Sequence, residues 1–391
     1  MSQLLNERWS ETKDALLEGL SGTRKASMNV CLENTRKYLA ESATSGATSS
    51  GNIATLNRVI LPVIRRVMPT VIANEIIGVQ PMTGPVGQIH TLRVRYADSS
   101  NEVVAGEEAL SPFKIAQAYS GNNIDATPKA AATSTLEGTP GKRMSIQILK
   151  ASVEAKSRKL SARWTFEAAQ DAQAQQGIDI EAEIMAALAQ EITAEIDQEI
   201  LASLRALASV ELTYDQALVS GTATFVGDEH AALAIMINRV ANLIAQRTRR
   251  GSANWAVISN QALTLLQSAT TSAFARTTEG TFEAPTNTKF VGTLNNSMRV
   301  YVDAYKSDTD DQNQILIGYK GASEADAAAF YCPYIPLMSS GVVLDPATFE
   351  PVVGFLTRYG YLELSNTASS LGNAADYLGK VAITSANVSY Q

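Results

Sequence analysis

The chain has 391 residues, of which 45% are hydrophobic and only 18% charged, with a formal net charge of −7. That length accommodates two or three domains, or one flat, elaborated one, and the apolar share suffices for a real core. The acidic balance argues against a protein that grips nucleic acid over a broad face, because such affinity comes from neutralising phosphates.

The N-terminus, MSQLLNERWSETKD, is polar and charged, unlike a secretion signal. No apolar run approaches the roughly 18 residues of a membrane helix, so a soluble protein made in a cytoplasm is expected. Residues 1–42 are predicted helical. Leu4, Leu5, Trp9, Leu16, Leu17 and Leu20 fall near helical spacing, and Val30, Leu32, Tyr38 and Leu39 follow a Ser-Gly break at 21–22. The run SATSGATSSGN (42–52) is small and polar and reads as a linker, so the helical segment is expected to be tethered rather than built in. Residues 53–77 are apolar, but Pro62 and Pro69 prevent one straight helix. Arg65 and Arg66, between them, are either the solvent face of a helix or a pair that binds a carboxylate across a subunit boundary.

The run GVQPMTGPVGQIHTLRVRY (78–96) begins as a proline- and glycine-rich elbow and ends as a strand. His90, Leu92, Val94 and Tyr96 form an apolar edge; Ile89, Thr91, Arg93 and Arg95 form a basic one. Strand pattern resumes at KRMSIQILK, where Met144, Ile146 and Ile148 alternate. Between the strands, residues 98–141 are poorly hydrophobic. Such an excursion is expected to be unable to bury itself, and to be mobile unless something outside the subunit orders it. Asp98, Glu102, Glu107 and Glu108 make one limb acidic. Lys142, Arg143, Lys150, Lys156, Arg158, Lys159 and Arg163 make the base of the hairpin basic. These charges can pair within one hairpin or between neighbouring copies, setting register more than strength.

Residues 164–176 are predicted helical up to Gly177, and Asp179 is a good N-cap for the next helix. There Ile180, Ile184, Leu188, Ile192, Ile196, Ile200 and Leu204 recur every fourth residue. Steps of four overshoot the helical repeat by about 40° each, so the stripe must pass from one packing surface to another along a beam of about 42 Å. Helix over 232–247, strand over 255–259, helix over 260–268 and strands near 299–305 and 314–320 describe an α/β lobe. The tail from Tyr331 to Tyr361 is strand-rich and is expected to return toward the beam.

No catalytic constellation is visible. Cys31 and Cys332 are far apart and read as two reduced thiols, with no CxxC or Cys/His cluster for a metal. His90 and His230 have no nucleophile beside them in sequence. GTPGKRMS (138–145) fails as a phosphate loop because Leu136 and Arg143 stand where glycine and Ser/Thr are needed. SDTDDQNQ (307–314) fails as a calcium loop at Gln312 and Asn313. Glu181, Glu183, Glu191, Glu195, Asp197 and Glu199 form the polar face of the long helix; only with further ligands would they hold a metal. No cofactor, metal or enzymatic role is expected, and the outward-reaching parts suit a protein whose partner is itself.

Several runs, in order, resemble the major capsid proteins of T-even-like tailed phages: VIRRVMPTVIANEIIGVQPMTGPVGQIHTLRVRY (63–96), the segment 153–200, ANWAVISN (253–260), MRVYVDAY (298–305), ILIGYKG (315–321) and FEPVVGFLTRYG (349–360). The resemblance implies an α+β tailed-phage capsid fold of the Hong Kong 97 type. It divides the chain into a helical N-terminal arm and linker (1–52), an arm leading into the peripheral domain (53–80), an extended hairpin loop (81–150), a peripheral domain with a spine helix (151–215), an axial domain (216–335), and return strands with a C-terminal tail (336–391). It implies subunits that form hexamers and pentamers of an icosahedral shell in the virion, assembled in a bacterial cytoplasm and enclosing packaged double-stranded DNA without sequence-specific binding. Portal, scaffold, vertex or decoration proteins are further partners, and no membrane is involved. Arg65, Arg66, Arg93, Arg95, Glu102, Glu107, Glu108, Lys142 and Arg143 are the candidate inter-subunit contacts. Processing after a Leu/Ile-x-Glu pattern is also implied: Leu39-Ala40-Glu41 fits, making Glu41 the candidate site, and Leu16-Leu17-Glu18 fits too. A vertex-specific pentameric capsid protein is the alternative, and an α/β enzyme with a metal on the acidic helix face a distant one. Removing residues 98–141 is expected to leave a folded subunit that cannot assemble.

Overall fold

A computed structural model describes residues 9, 13–14, 16–17, 20, 22–44, 71–100, 103–106, 109, 119–121, 130–138, 141–176, 179–208, 210–215, 226–248, 250–268, 274–276, 288–295, 297–303, 314–323, 326–345, 347–348, 350–364 and 374–385. In chain order its elements are α1 (Gly22–Thr44), α2 (Ala73–Ile76), β1 (Gly78–Val79), β2 (Val86–Tyr96), α3 (Thr133–Leu136), β3 (Met144–Glu154) and β4 (Lys156–Arg163). There follow α4 (Phe166–Gln176), α5 (Ile180–Leu207), β5 (Val210–Asp215), α6 (Val226–Thr248), β6 (Trp255–Ile258), α7 (Asn260–Ser268), β7 (Phe274–Arg276), β8 (Thr288–Leu294) and β9 (Met298–Asp303). The last are β10 (Gln314–Gly318), β11 (Ala329–Leu344), β12 (Pro351–Glu363), a 3₁₀ turn at Ala374–Tyr377, and β13 (Leu378–Ser385).

Three sheets result: a four-stranded sheet β1-β11-β12-β4, a seven-stranded sheet β5-β13-β10-β6-β9-β8-β7, and the separate two-stranded ribbon β2-β3. In the first, β11 and β12 run antiparallel from Ala329 opposite Glu363 to Leu344 opposite Pro351, with register shifts between Pro333 and Ile335, Ile335 and Met338, and Ser339 and Val342. Pro333 and Pro336 have no N–H to give the ladder, and an interior strand tolerates them only where pairing is interrupted.

Helix α5 is the beam. Asp179 caps it, its carboxylate accepting from Glu181 N at 3.1 Å, and Glu181 and Glu183 in the first turn suit the positive end of the helix dipole. Its buried residues begin with Met185, Leu188, Ala189 and Ile192 and end with Ile200, Leu201, Leu204 and Arg205. The middle of the helix is tied to β4 and β12, while Gln198 and Arg205 reach Asp303 at the end of β9. The drifting four-residue stripe thus does what its geometry demands, crossing from one sheet to the other. The largest core cluster accordingly draws Ile192, Ile196 and Leu204 from the helix, Tyr331 and Phe355 from one sheet, and Trp255 and Leu316 from the other.

Two strands lie where local pattern did not put them. β13, from the expected return segment, sits between β5 and β10, parallel to β5 and antiparallel to β10. β5, placed with the spine helix by sequence, is an edge of the seven-stranded sheet. β2 also starts three residues earlier than its alternation suggested, because Val86, Gly87 and Gln88 pair with Glu154, Val153 and Ser152.

The expectation that the N-terminal helix is tethered rather than built in is corrected. Gly22, with φ +60, makes the predicted break, a backbone angle that glycine adopts without cost. α1 then runs to Thr44, and Met28, Cys31 and Leu32 are buried in the main core beside Leu16 and Leu17. The physical reason is the i, i+3, i+4 spacing of those three side chains, which gives the helix one apolar stripe. The expected linker beyond Thr44 and the proline-interrupted stretch up to residue 70 lie outside the described residues, as does all of SDTDDQNQ (307–314) except Gln314.

Candidate assembly surfaces

The ribbon pairs Tyr96 with Met144, Val94 with Ile146 and Leu92 with Ile148, so Val94, Tyr96, Met144, Ile146 and Ile148 share one face. Its own subunit leaves the β3 half of that face uncovered: Met144 is 55% exposed, and Ile146 and Ile148 are 67% exposed. Apolar side chains grouped like this on one face mark a surface that meets something else. Fully burying an isoleucine stabilises by about 1.5–3 kcal/mol, so about two-thirds of that gain is still available at each.

At the tip of the ribbon a second expectation, that the 98–141 excursion cannot bury itself, is corrected for three of its described residues, while 132–138 remain exposed. Val103, Ala109 and Tyr119 are buried against Tyr96. The Tyr96 and Tyr119 rings lie 4.5 Å apart, and Tyr119 Oη donates to Arg143 O at 2.6 Å. Gly106 N and Ala109 N donate to Tyr96 O and Val94 O, so the excursion satisfies the outer edge of β2. Two tyrosines and a free strand edge supply what the hydrophobic count lacked.

Of the sequence-derived contact residues, Lys142 and Arg143, expected at the base of the hairpin, lie instead at its tip, because Met144 pairs with Tyr96 at the far end of the ladder, and both are exposed. Lys142 Nζ stands 5.4 Å from the Tyr119 ring centroid, and Arg143 N donates to Asp98 at 2.8 Å, with its guanidinium 3.3 Å from the same carboxylate. These hydrogen bonds from Arg143, backbone first, hold the Asp98 carboxyl below its ordinary range. For this pair, the opposite charges meet within one hairpin. Arg93 and Arg95 are both on β2, and Arg95, on the face opposite the apolar one, is half-buried. Arg65, Arg66, Glu102, Glu107 and Glu108 lie outside the described residues. Glu41 falls near the end of α1, so the Leu39-Ala40-Glu41 motif is helical backbone.

Sequence reading missed three features. The β11–β12 hairpin ends in a second apolar patch, Val342, Val343 and Leu344, beyond Gly341 with φ +70; the Gly and Asp-Pro turn signals around it were legible but were absorbed into the tail. Arg158 holds β4 to the beam, reaching Glu195 at 2.6 Å, Glu199 at 2.5 Å and the Tyr359 hydroxyl at 2.7 Å. The Arg205–Asp303 pair, 3.0 Å apart and buried, joins the beam to the seven-stranded sheet. Neither ion pair has a local sequence signal.

Nothing described assembles into reaction chemistry. Among the described residues, no cluster of three or more His, Cys, Asp or Glu is placed to hold a metal, and no helix is long and apolar enough to cross a membrane. His230 Nδ1 lies 2.6 Å from Ser268 Oγ, which is also 3.0 Å from Leu265 O, so the pair closes the end of α7.

The family described as major capsid protein Gp23 matches residues 53–139 and 121–383. The major capsid protein of Salmonella phage ViI is 31% identical, over 83% of this chain and 80% of its own length. Those of Vibrio phage KVP40 and Enterobacteria phage T4 are 28% and 29% identical, over 86% and 83% of this chain and 82% and 78% of theirs. A solved structure from Mycobacterium phage Bobi aligns with 81% of this chain and 91% of its own, at 13% identity and a TM-score of 0.48. The chain belongs to the Gp23 major capsid protein family.

Proposed function

We propose that this chain is the shell-forming subunit of a tailed-phage head, many copies closing into rings of six and five that tile an icosahedral container around packaged double-stranded DNA. Head-to-tail contacts close into such rings when the rotation between copies fits. Beside family membership, the observation that carries the reading is the ribbon, whose Met144, Ile146 and Ile148 stay more than half exposed in their own subunit. Laid across a neighbour, that face gains the burial it lacks. Arg95 on its other face, Arg93 along β2, Lys142 and Arg143 at its tip, and Arg65, Arg66, Glu102, Glu107 and Glu108 supply charged contacts between copies. The net charge of −7 disfavours adhesion of DNA to the wall. The role is structural rather than enzymatic. Portal, scaffold, vertex and decoration proteins are the partner classes such a shell meets. Processing at Glu41 requires the last turns of α1 to unwind into a protease.

Electron microscopy of the purified chain tests the reading. Rings and closed shells containing both hexamers and pentamers are expected; pentamers alone would favour a vertex protein, and a monodisperse small oligomer would refute the proposal. A chain lacking residues 98–141 should remain soluble and form none of these particles.

A further inference from the structure

The ribbon leaves its subunit through an elbow at residues 80–85, and that elbow is held from two sides. On one side the chain runs beside β11: Gln80 N donates to Tyr331 O, and Met82 N to Pro333 O, each at 3.0 Å. On the other side stands α1. Asn34, 3% exposed, donates from Nδ2 to Met82 O at 2.5 Å and to Tyr334 O at 3.1 Å. One turn earlier, Cys31 Sγ lies 3.8 Å from Pro333 O. A single helix face thus touches the elbow and the stretch of β11 on which the elbow rests.

The Met82 side chain passes this hold on to the ribbon. It is buried with Val153, Phe330 and Cys332, the cluster in which the root of β3 meets β11. Gly87, on β2, lies so close that an added Cβ would stand 3.2 Å from both Met82 Sδ and Val153 Cγ1. By contrast, the neighbourhood of Gly84 is open. The elbow is therefore fixed at Met82 and again at Pro85, whose carbonyl accepts from Ala155 N at 2.8 Å, with Gly84 unconfined between them. The other end of α1 is fastened by exposed groups: Arg24 pairs with Glu75, which also meets Arg299 of β9 at 3.3 Å.

We propose that α1 is a strap that sets the direction of the ribbon. Asn34 pins the carbonyl of Met82, and release of the strap lets the ribbon swing as a unit about residues 80–85. α1 contributes no strand to any sheet, so its release breaks no strand pairing, although it uncovers the core contacts of Met28, Cys31 and Leu32. The strap is a property of the single subunit and stands whether or not copies assemble.

Hydrogen–deuterium exchange on the full, unassembled chain tests this with Asn34→Leu, which keeps the branching of the side chain and removes both donors. Peptides covering 78–84 should exchange about tenfold faster than in the wild type, the scale expected when a buried hydrogen bond is lost. The ribbon ladder (88–94 with 146–152) and the β6 and β10 strands (255–258 and 314–318) should not change. Unaltered exchange at 78–84 would overturn the proposal. So would acceleration there matched in β6 and β10, which would mean that Asn34 only supports the fold. Should Asn34→Leu fail to fold, Asn34→Ser, with one donor, should give the same pattern with a smaller rise, and the same two results would overturn it.

Discussion

Replacing Asp303 by leucine should destabilise the subunit more than breaking any exposed ion pair. Asp303 closes β9 and is fully buried; it accepts from Gln198 Nε2 at 2.8 Å and pairs with the buried Arg205 at 3.0 Å. Removing the carboxylate leaves a guanidinium in the interior with its main counter-charge gone, which costs about 3–5 kcal/mol. Urea denaturation of unassembled subunits, followed by the fluorescence of Trp255 on the neighbouring strand β6, reads this directly. With a slope of about 3 kcal/mol per molar urea, the midpoint falls by about 1–1.7 M. The double variant Asp303→Leu/Arg205→Met should recover most of the loss, because a buried ion pair replaced by apolar side chains of similar volume is often neutral. A midpoint shift within error of zero for the single variant, or no recovery in the double, would refute the reasoning and detach the beam from β9.

Acid should weaken the hold of β4 on the beam. Burial alone would raise the Glu199 carboxyl, but hydrogen bonds from Arg158 and Tyr359 outweigh it and hold it below the ordinary value of 4.5. A depressed carboxylate stabilises the fold above its unfolded value, and that gain is lost as pH falls through the folded value, so the effect sets in below about pH 4.5. The pair is partly exposed, which limits the gain to about 1 kcal/mol or less; urea midpoints taken from about pH 6 downward should fall more steeply for wild type than for Arg158→Met, and equal slopes would count against it. Burial pushes the Cys31 thiol up to about 12 and the Cys332 thiol up to about 11. Iodoacetamide at about pH 8 should therefore label neither in the native subunit and both after unfolding, whereas rapid native labelling would contradict their placement. Gly318→Ala should lower soluble yield and shift tryptophan emission, because a methyl there overlaps the Trp255 indole; overpacking of this kind costs about 1–3 kcal/mol, and a variant of wild-type stability would show that the two strands pack otherwise.

The elements legible in the sequence are those whose partners recur at short, regular intervals. The four-residue stripe and the Asp179 cap announced α5, and the alternation at 89–96 and 144–148 announced the ribbon. What stayed hidden depends on distant pairings. Tyr119 looks like an isolated aromatic in a polar stretch until the fold sets it beside Tyr96. Arg205 reads as a cation suited to the last turn of a helix, and only the arrival of β9 makes it half of a buried pair. Asn34 is one polar residue in a helix, its role created by an elbow and a strand from opposite ends of the chain. β13 alternates weakly and was lost in the tail, because its place between β5 and β10 is set by sheet topology rather than by its own pattern. The apolar side of the ribbon was readable; that the tip half-covers itself while Ile146 and Ile148 stay open was not.

The central claim is that the open face of the ribbon finds its cover on an adjacent copy, and sedimentation velocity of Ile146→Asp/Ile148→Asp beside the wild type tests it most directly. Both positions are two-thirds exposed, so the substitutions should leave the subunit's circular dichroism and thermal midpoint nearly unchanged. In an interface they would place two carboxylates against an apolar seat, at a cost of several kcal/mol. The account predicts rings and shells from the wild type and single subunits from the variant; a variant that assembles like the wild type would contradict it.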